Sequence, residues 1–141
     1  MKFDIPRHCY IRWQAALAVL EDLQEDKKAP FSMRSYADKE TIWEKTNGCG
    51  TTACFAGYIA VAPYCRMLDY PANDDGSHAE YWLLGTTYRD ERPIGLFRHL
   101  FQGSLDKSSR AKTLAFLERR IKETFKESTG KNLGAPMTFY L

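Results

Sequence analysis

Two cysteines, Cys49 and Cys54, bracket Gly50-Thr51-Thr52-Ala53, directly after the turn dipeptide Asn47-Gly48. A thiol in the first turn of a helix meets unpaired backbone amides and the positive end of the helix dipole, which lower its pKa and favour the thiolate. Thr51 is the expected N-cap, because its hydroxyl can accept a bond from an amide two or three residues further on. On this reading Cys54 is the nucleophile of a cysteine-dependent enzyme. Such a nucleophile needs a base. The candidates are His8, His78 and His99. His78 falls in a capping box, and His99 falls between Arg98 and Leu100 in a short helix. Neither sits in a recognisable strand context.

The competing reading is packing, and it explains more of the segment. Ala53, Gly57 and Val61 recur at intervals of four, and Ala56 and Ala60 form a second such row. Glycine inside a helix costs about 1 kcal/mol relative to alanine, so Gly57 suggests close backbone approach. Cysteine is itself small and commonly buried. The order Cys-Gly-x-x-x-Cys-aromatic-Ala resembles the nucleophile region of papain-like proteases. An insertion breaks the spacing, however, and the strand-rich half that would carry the histidine is missing. Zinc on Cys49, Cys54 and a histidine would need an unusual five-residue step, and there is no CxxC pair. No metal or cofactor is therefore expected. The Thr51 helix start could hold an anion or nucleotide, but no P-loop lysine follows the glycines.

Two further sets of residues could make contacts. Tyr81, Trp82 and Tyr88 lie around short helices and loops with Arg89 and Arg92 close by, a mixture favoured at protein-binding hot spots. The bland alternative, that Trp82 fills the core, is preferred for that residue. The last helix carries Lys107, Arg110, Lys112, Arg119, Arg120, Lys122 and Lys126 against three glutamates. Arg119 and Arg120 are its candidate contact residues, for a protein or for nucleic acid. A long exposed helix with many cations is more often a solvated face, and no nucleic-acid-binding motif supports the second partner.

The bulk numbers bound these options. The chain has 141 residues, enough for one domain with its own core, and a net charge of +2 that argues against nucleic-acid binding over the whole surface. Met1 to Arg7 has no apolar signal-peptide core and no apolar run reaches the ~20 residues of a membrane span. A cytoplasmic location and no membrane partner are expected, with the four cysteines reduced.

The positioning elements read as helices. A first helix is expected over Arg7 to Lys27, capped near Asp4, with Tyr10, Trp13, Ala16, Leu17, Leu20 and Leu23 on one stripe. Acids Glu21, Asp22, Glu25 and Asp26 crowd its far end. The small-residue helix from Thr51 is expected to be central and buried, with Pro63 kinking or ending it. Ser77 and Glu80 form a capping box for a short helix closed by Gly85. Pro93 opens another, Ile94 to Gln102. The last helix, capped by Asp106 or Ser108 and ended by Gly130, places Ala111, Leu114, Leu117, Ile121 and Phe125 inward. Residues 130–141 are a tail, with room for a short β element pairing it with Phe31 to Tyr36. The expected architecture is a single mainly α domain over 1–141, with about five helices around the small-residue helix.

Phe31-Ser32-Met33, Trp43 and Cys49-Gly50-Thr51-x-x-Cys54-x-Ala56-Gly57 together resemble a motif of small uncharacterised proteins of bacteriophages and bacterial genomes. Tyr58 departs from it mildly, where tryptophan or histidine is expected. The resemblance implies a small helical domain and a phage origin, and it carries no functional residue. It tilts the expectation toward a non-enzymatic accessory protein that binds or inhibits a bacterial host protein, for example a defence component. The alternatives are the Cys54 enzyme and binding of nucleic acid or a nucleotide.

Overall fold

The computed structural model describes residues 3–26, 55–71, 78–86, 95–101 and 110–134. Among them the chain is mainly helical, with no strand. A 3-10 turn, Arg7–Cys9, leads into α1, Tyr10–Glu25. There follow α2, Phe55–Val61, and α3, Pro63–Met67. Then come α4, Ala79–Leu84, α5, Leu96–Phe101, and the long α6, Arg110–Thr129. The region of Phe31 to Tyr36, the run Asn47 to Cys54, Ser77, Pro93, Asp106, Ser108 and the end of the tail lie outside the described residues.

α1 is the element that the others share, since α2, α3, α4 and α6 all pack against it. That explains why its burial is wider than one stripe. Ala15 through Leu20 are all buried, because a helix covered from more than one side buries residues off its main face. Tyr10 and Trp13 meet Phe125 of α6 with ring centroids 5.0 and 5.9 Å apart. The expected cap at Asp4 is corrected: the chain enters through the 3-10 turn, and no side chain caps either it or α1. At the other end the acidic terminus of α1 is met by a cation, as Arg110 Nη2 donates to the Asp26 carbonyl at 2.8 Å.

Pro63 ends one helix and begins the next. Ala62 is extended, with ψ 123°, as steric clash with a following proline ring demands. Pro63 then occupies the first position of α3, where its missing N–H costs nothing. The small-residue helix is buried as expected at Phe55, Ala56, Gly57, Ile59 and Ala60. Its outer row does not stay inside, since Val61 emerges into solvent.

Two helix C-termini follow the expected glycine chemistry, whereas the N-cap of α4 is His78 with no side-chain cap, in place of the expected capping box. Gly85, at φ 66°, closes α4 with Thr86 N–H donating to the Tyr81 carbonyl and Gly85 N–H to that of Trp82, the paired bonds of a left-handed cap. Gly130, at φ 74°, closes α6. α5 begins later than expected, because Gly95 at φ 73° precedes its first residue. On α6, Leu114, Leu117, Ile121 and Phe125 are buried. Ala111 is exposed, a correction that follows from its place in the first turn, at the margin of the buried stripe.

Candidate functional site

Trp82 is 4% exposed and braces the interior. Its indole Nε1 donates to the Leu68 carbonyl at 2.8 Å, at the end of α3. Its ring meets Tyr70 edge-on, with centroids 5.4 Å apart. Arg12 of α1 lies over the same ring, 5.6 Å from its centroid, while its Nη1 donates to the Trp82 carbonyl at 2.8 Å. One residue along, Trp13 Nε1 donates to the Leu83 carbonyl at 2.9 Å. Helix C-termini leave carbonyls without intrahelical partners, and here two tryptophans and an arginine supply the donors. Trp82 therefore belongs to the core and does not offer a contact face. Tyr81 is half-buried beside His78, with ring centroids 6.3 Å apart. Tyr88, Arg89 and Arg92 lie outside the described residues.

The two arginines of α6 diverge. The Arg119 side chain is 64% exposed, 3.8 Å from Glu123, with its guanidinium 5.2 Å from the Phe116 ring centroid. The Arg120 side chain is only 19% exposed and 3.6 Å from Glu123. Its Nη2 donates to the His99 carbonyl of α5 at 2.7 Å. Arg120 is mostly covered and engaged inside the protein, which leaves it less available than Arg119 to an outside partner. The remaining exposed cations of α6 include Lys112, Lys122 and Lys126. Lys122 is 3.9 Å from Glu118, so part of the basic charge is offset on the helix itself.

Cys9 and Cys65, the two described cysteines, are free thiols and fully buried. Burial pushes the Cys65 thiol up to about 12. Burial also raises Cys9, with the nearby Arg12 charge pulling the other way. A thiol held protonated is a poor nucleophile. Cys49 and Cys54 lie outside the described residues. Of the three histidines proposed as bases, His8 is exposed, His78 is half-buried near Tyr81, and His99 is engaged by Arg120. Among the described residues no three His, Cys, Asp or Glu side chains group to hold a metal ion, and no helix is long and apolar enough to cross a membrane.

The bend between α2 and α3 carries two exposed apolar residues that the periodicity did not mark. Val61 is 44% exposed and Met67 67% exposed. Pro63 and Arg66 are also exposed. The bend is anchored by Tyr64, whose hydroxyl donates to the Asp22 carboxylate at 2.9 Å, and by Arg66 Nε, which donates to the Ala60 carbonyl at 3.1 Å. The signal available in the sequence was Pro63, which ends α2 and so leaves Val61 at a helix end, with Met67 on the short helix that follows.

No family model, curated protein or solved structure matches this chain.

Proposed function

We propose that this protein is a non-enzymatic binding protein of the phage accessory type, which binds or inhibits a bacterial host protein. The observation that supports the reading is the α2–α3 bend. Two apolar side chains, Val61 and Met67, stand exposed on a segment tied to α1 by the Tyr64–Asp22 hydrogen bond. Methionine adapts its shape to many partners and recurs on surfaces that bind proteins. An anchored backbone beneath it reduces the ordering cost of association. The resemblance carried by Cys49-Gly50-Thr51 and Cys54-x-Ala56-Gly57 adds the phage and host context. Arg119 and Tyr81 remain candidate contacts.

Immobilised protein exposed to a bacterial lysate, with bound proteins identified by mass spectrometry, tests the reading. A partner recovered in stoichiometric amount, and lost with Met67→Asp, is the expected outcome. Recovery of nothing above the background of an unrelated protein would overturn it.

The exposed cations of α6 favour a second reading, contact with nucleic acid. Binding of that kind is driven by counterion release and weakens steeply with salt. A mobility shift with generic DNA or RNA at low salt supports it, and no shift at low salt removes it.

A further inference from the structure

We propose that the segment Phe3 to Pro6 is a strap that fastens α5 to α6, so that α5 opens when the strap peels away. The segment meets three helices within four residues. At its start the Phe3 N–H donates to Ser128 Oγ at 3.2 Å, in the last turn of α6. The Phe3 ring meets the His99 ring of α5, with centroids 5.7 Å apart and planes tilted by 56°. Ile5 is buried in the core. Pro6 lies against the end of α4, where its Cγ would stand 3.2 Å from a Cβ placed on Gly85. The Pro6 carbonyl accepts the Cys9 N–H at 2.9 Å and so joins the strap to the 3-10 turn.

The two fastenings differ in strength. The Pro6 side is held by the buried Ile5 and by the turn that leads into α1. The Phe3 side is half-buried and is joined to α6 through one hydrogen bond to a hydroxyl. Peeling therefore starts at Phe3, and it takes the ring from His99 and the donor from Ser128 in one step. Ser128 is 2% exposed while the strap is fastened.

α5 depends on such ties. It has six residues, well short of the roughly 12–15 at which an isolated helix becomes even marginally stable. Gly95 at its start has φ 73° with open space around it. Short elements with few anchors open at the low end of the stability range. Arg120 ties α5 to α6 directly, through the His99 carbonyl at 2.7 Å. The strap ties the same two helices through a third segment. With the strap released, movement of α5 away from α6 would uncover Leu96 and Leu100, both buried in the closed form. The device shares no residue with the α2–α3 bend and stands apart from the binding reading.

The test is amide hydrogen exchange of the full chain over a series of low denaturant concentrations, for wild type, Phe3→Ala and Ser128→Ala. In wild type the α5 amides should exchange through an opening smaller than global unfolding, and be less protected than those of Leu17 and Leu20 in α1. Each variant should speed α5 exchange by about three- to tenfold, the worth of a half-buried phenylalanine ring or of one hydrogen bond. Ser128→Ala is the sharper probe, because it alters neither α5 nor the Phe3 ring and reaches α5 through the strap. Protection of α5 equal to that of α1, or α5 exchange in either variant unchanged from wild type, would overturn the strap.

Discussion

The junction of α1 with α4 and the bend between α2 and α3 treat similar residue types in opposite ways. At the junction, polar and aromatic groups serve the backbone: Arg12, Trp13 and Trp82 each donate to a carbonyl at the end of a short helix. The apolar bodies of the two tryptophans fill the core, and the left-handed cap at Gly85 closes the same helix end. At the bend the polar anchors, Tyr64 and Arg66, face inward to α1 and to the chain itself, and the apolar side chains Val61 and Met67 face water. An apolar group left in water adds little to folding. The two regions thus separate groups committed to stability from apolar groups left exposed.

The largest expected effect comes from Trp13→Ala. Loss of a fully buried tryptophan should cost about 3–5 kcal/mol, and the Leu83 carbonyl would lose its donor. Denaturant unfolding measures it, and a cost below 1 kcal/mol would break the comparison on the junction side. Gly85→Ala comes next. A left-handed backbone alone costs a non-glycine residue about 1–2 kcal/mol, and the added Cβ would stand 2.8 Å from Cys9 Sγ, so the loss should exceed that range. Cys65 gives a smaller, pH-dependent effect. Its thiol is held protonated up to about 12 in the folded state, against an ordinary value of 9.0. Between those values only the unfolded chain releases the proton, so stability should fall by about 1.4 kcal/mol per pH unit on the alkaline side. Cys65→Ala should reduce that slope by the share of Cys65, leaving the part due to the buried Cys9 thiol, whose pKa is also raised. The smallest effect is Met67→Asp, which should change stability by less than about 0.5 kcal/mol, as exposed substitutions do. A large loss there would mean the side chain is structural.

Much of the fold was legible because it rests on periodicity and turn chemistry. The stripe Trp13, Ala16, Leu17, Leu20 and Leu23 gave α1, and Leu114, Leu117, Ile121 and Phe125 gave α6. Gly85 and Gly130 gave two helix ends. The exposure of the candidate contact residues was less legible, for geometric reasons. Arg119 and Arg120 look alike in sequence, but one step along a helix turns the side chain by about 100°. That step sends Arg119 into solvent and Arg120 toward His99. The row Ala53, Gly57, Val61 placed Val61 inward, but α2 ends at Val61, and this last residue emerges into solvent ahead of the extended Ala62 and Pro63. Trp82 was preferred as a core residue and is buried, but the groups around it, Leu68, Tyr70 and Arg12, are separated from it in sequence and were not legible.

The most direct measurement is the affinity of any protein captured from a bacterial lysate for wild-type protein and for Met67→Asp, with unfolding of both followed in parallel. A binding account predicts at least about a tenfold weaker complex, a loss of about 1.4 kcal/mol, with unchanged unfolding. Equal affinity of the two proteins for that partner would contradict the placement of binding at the α2–α3 bend.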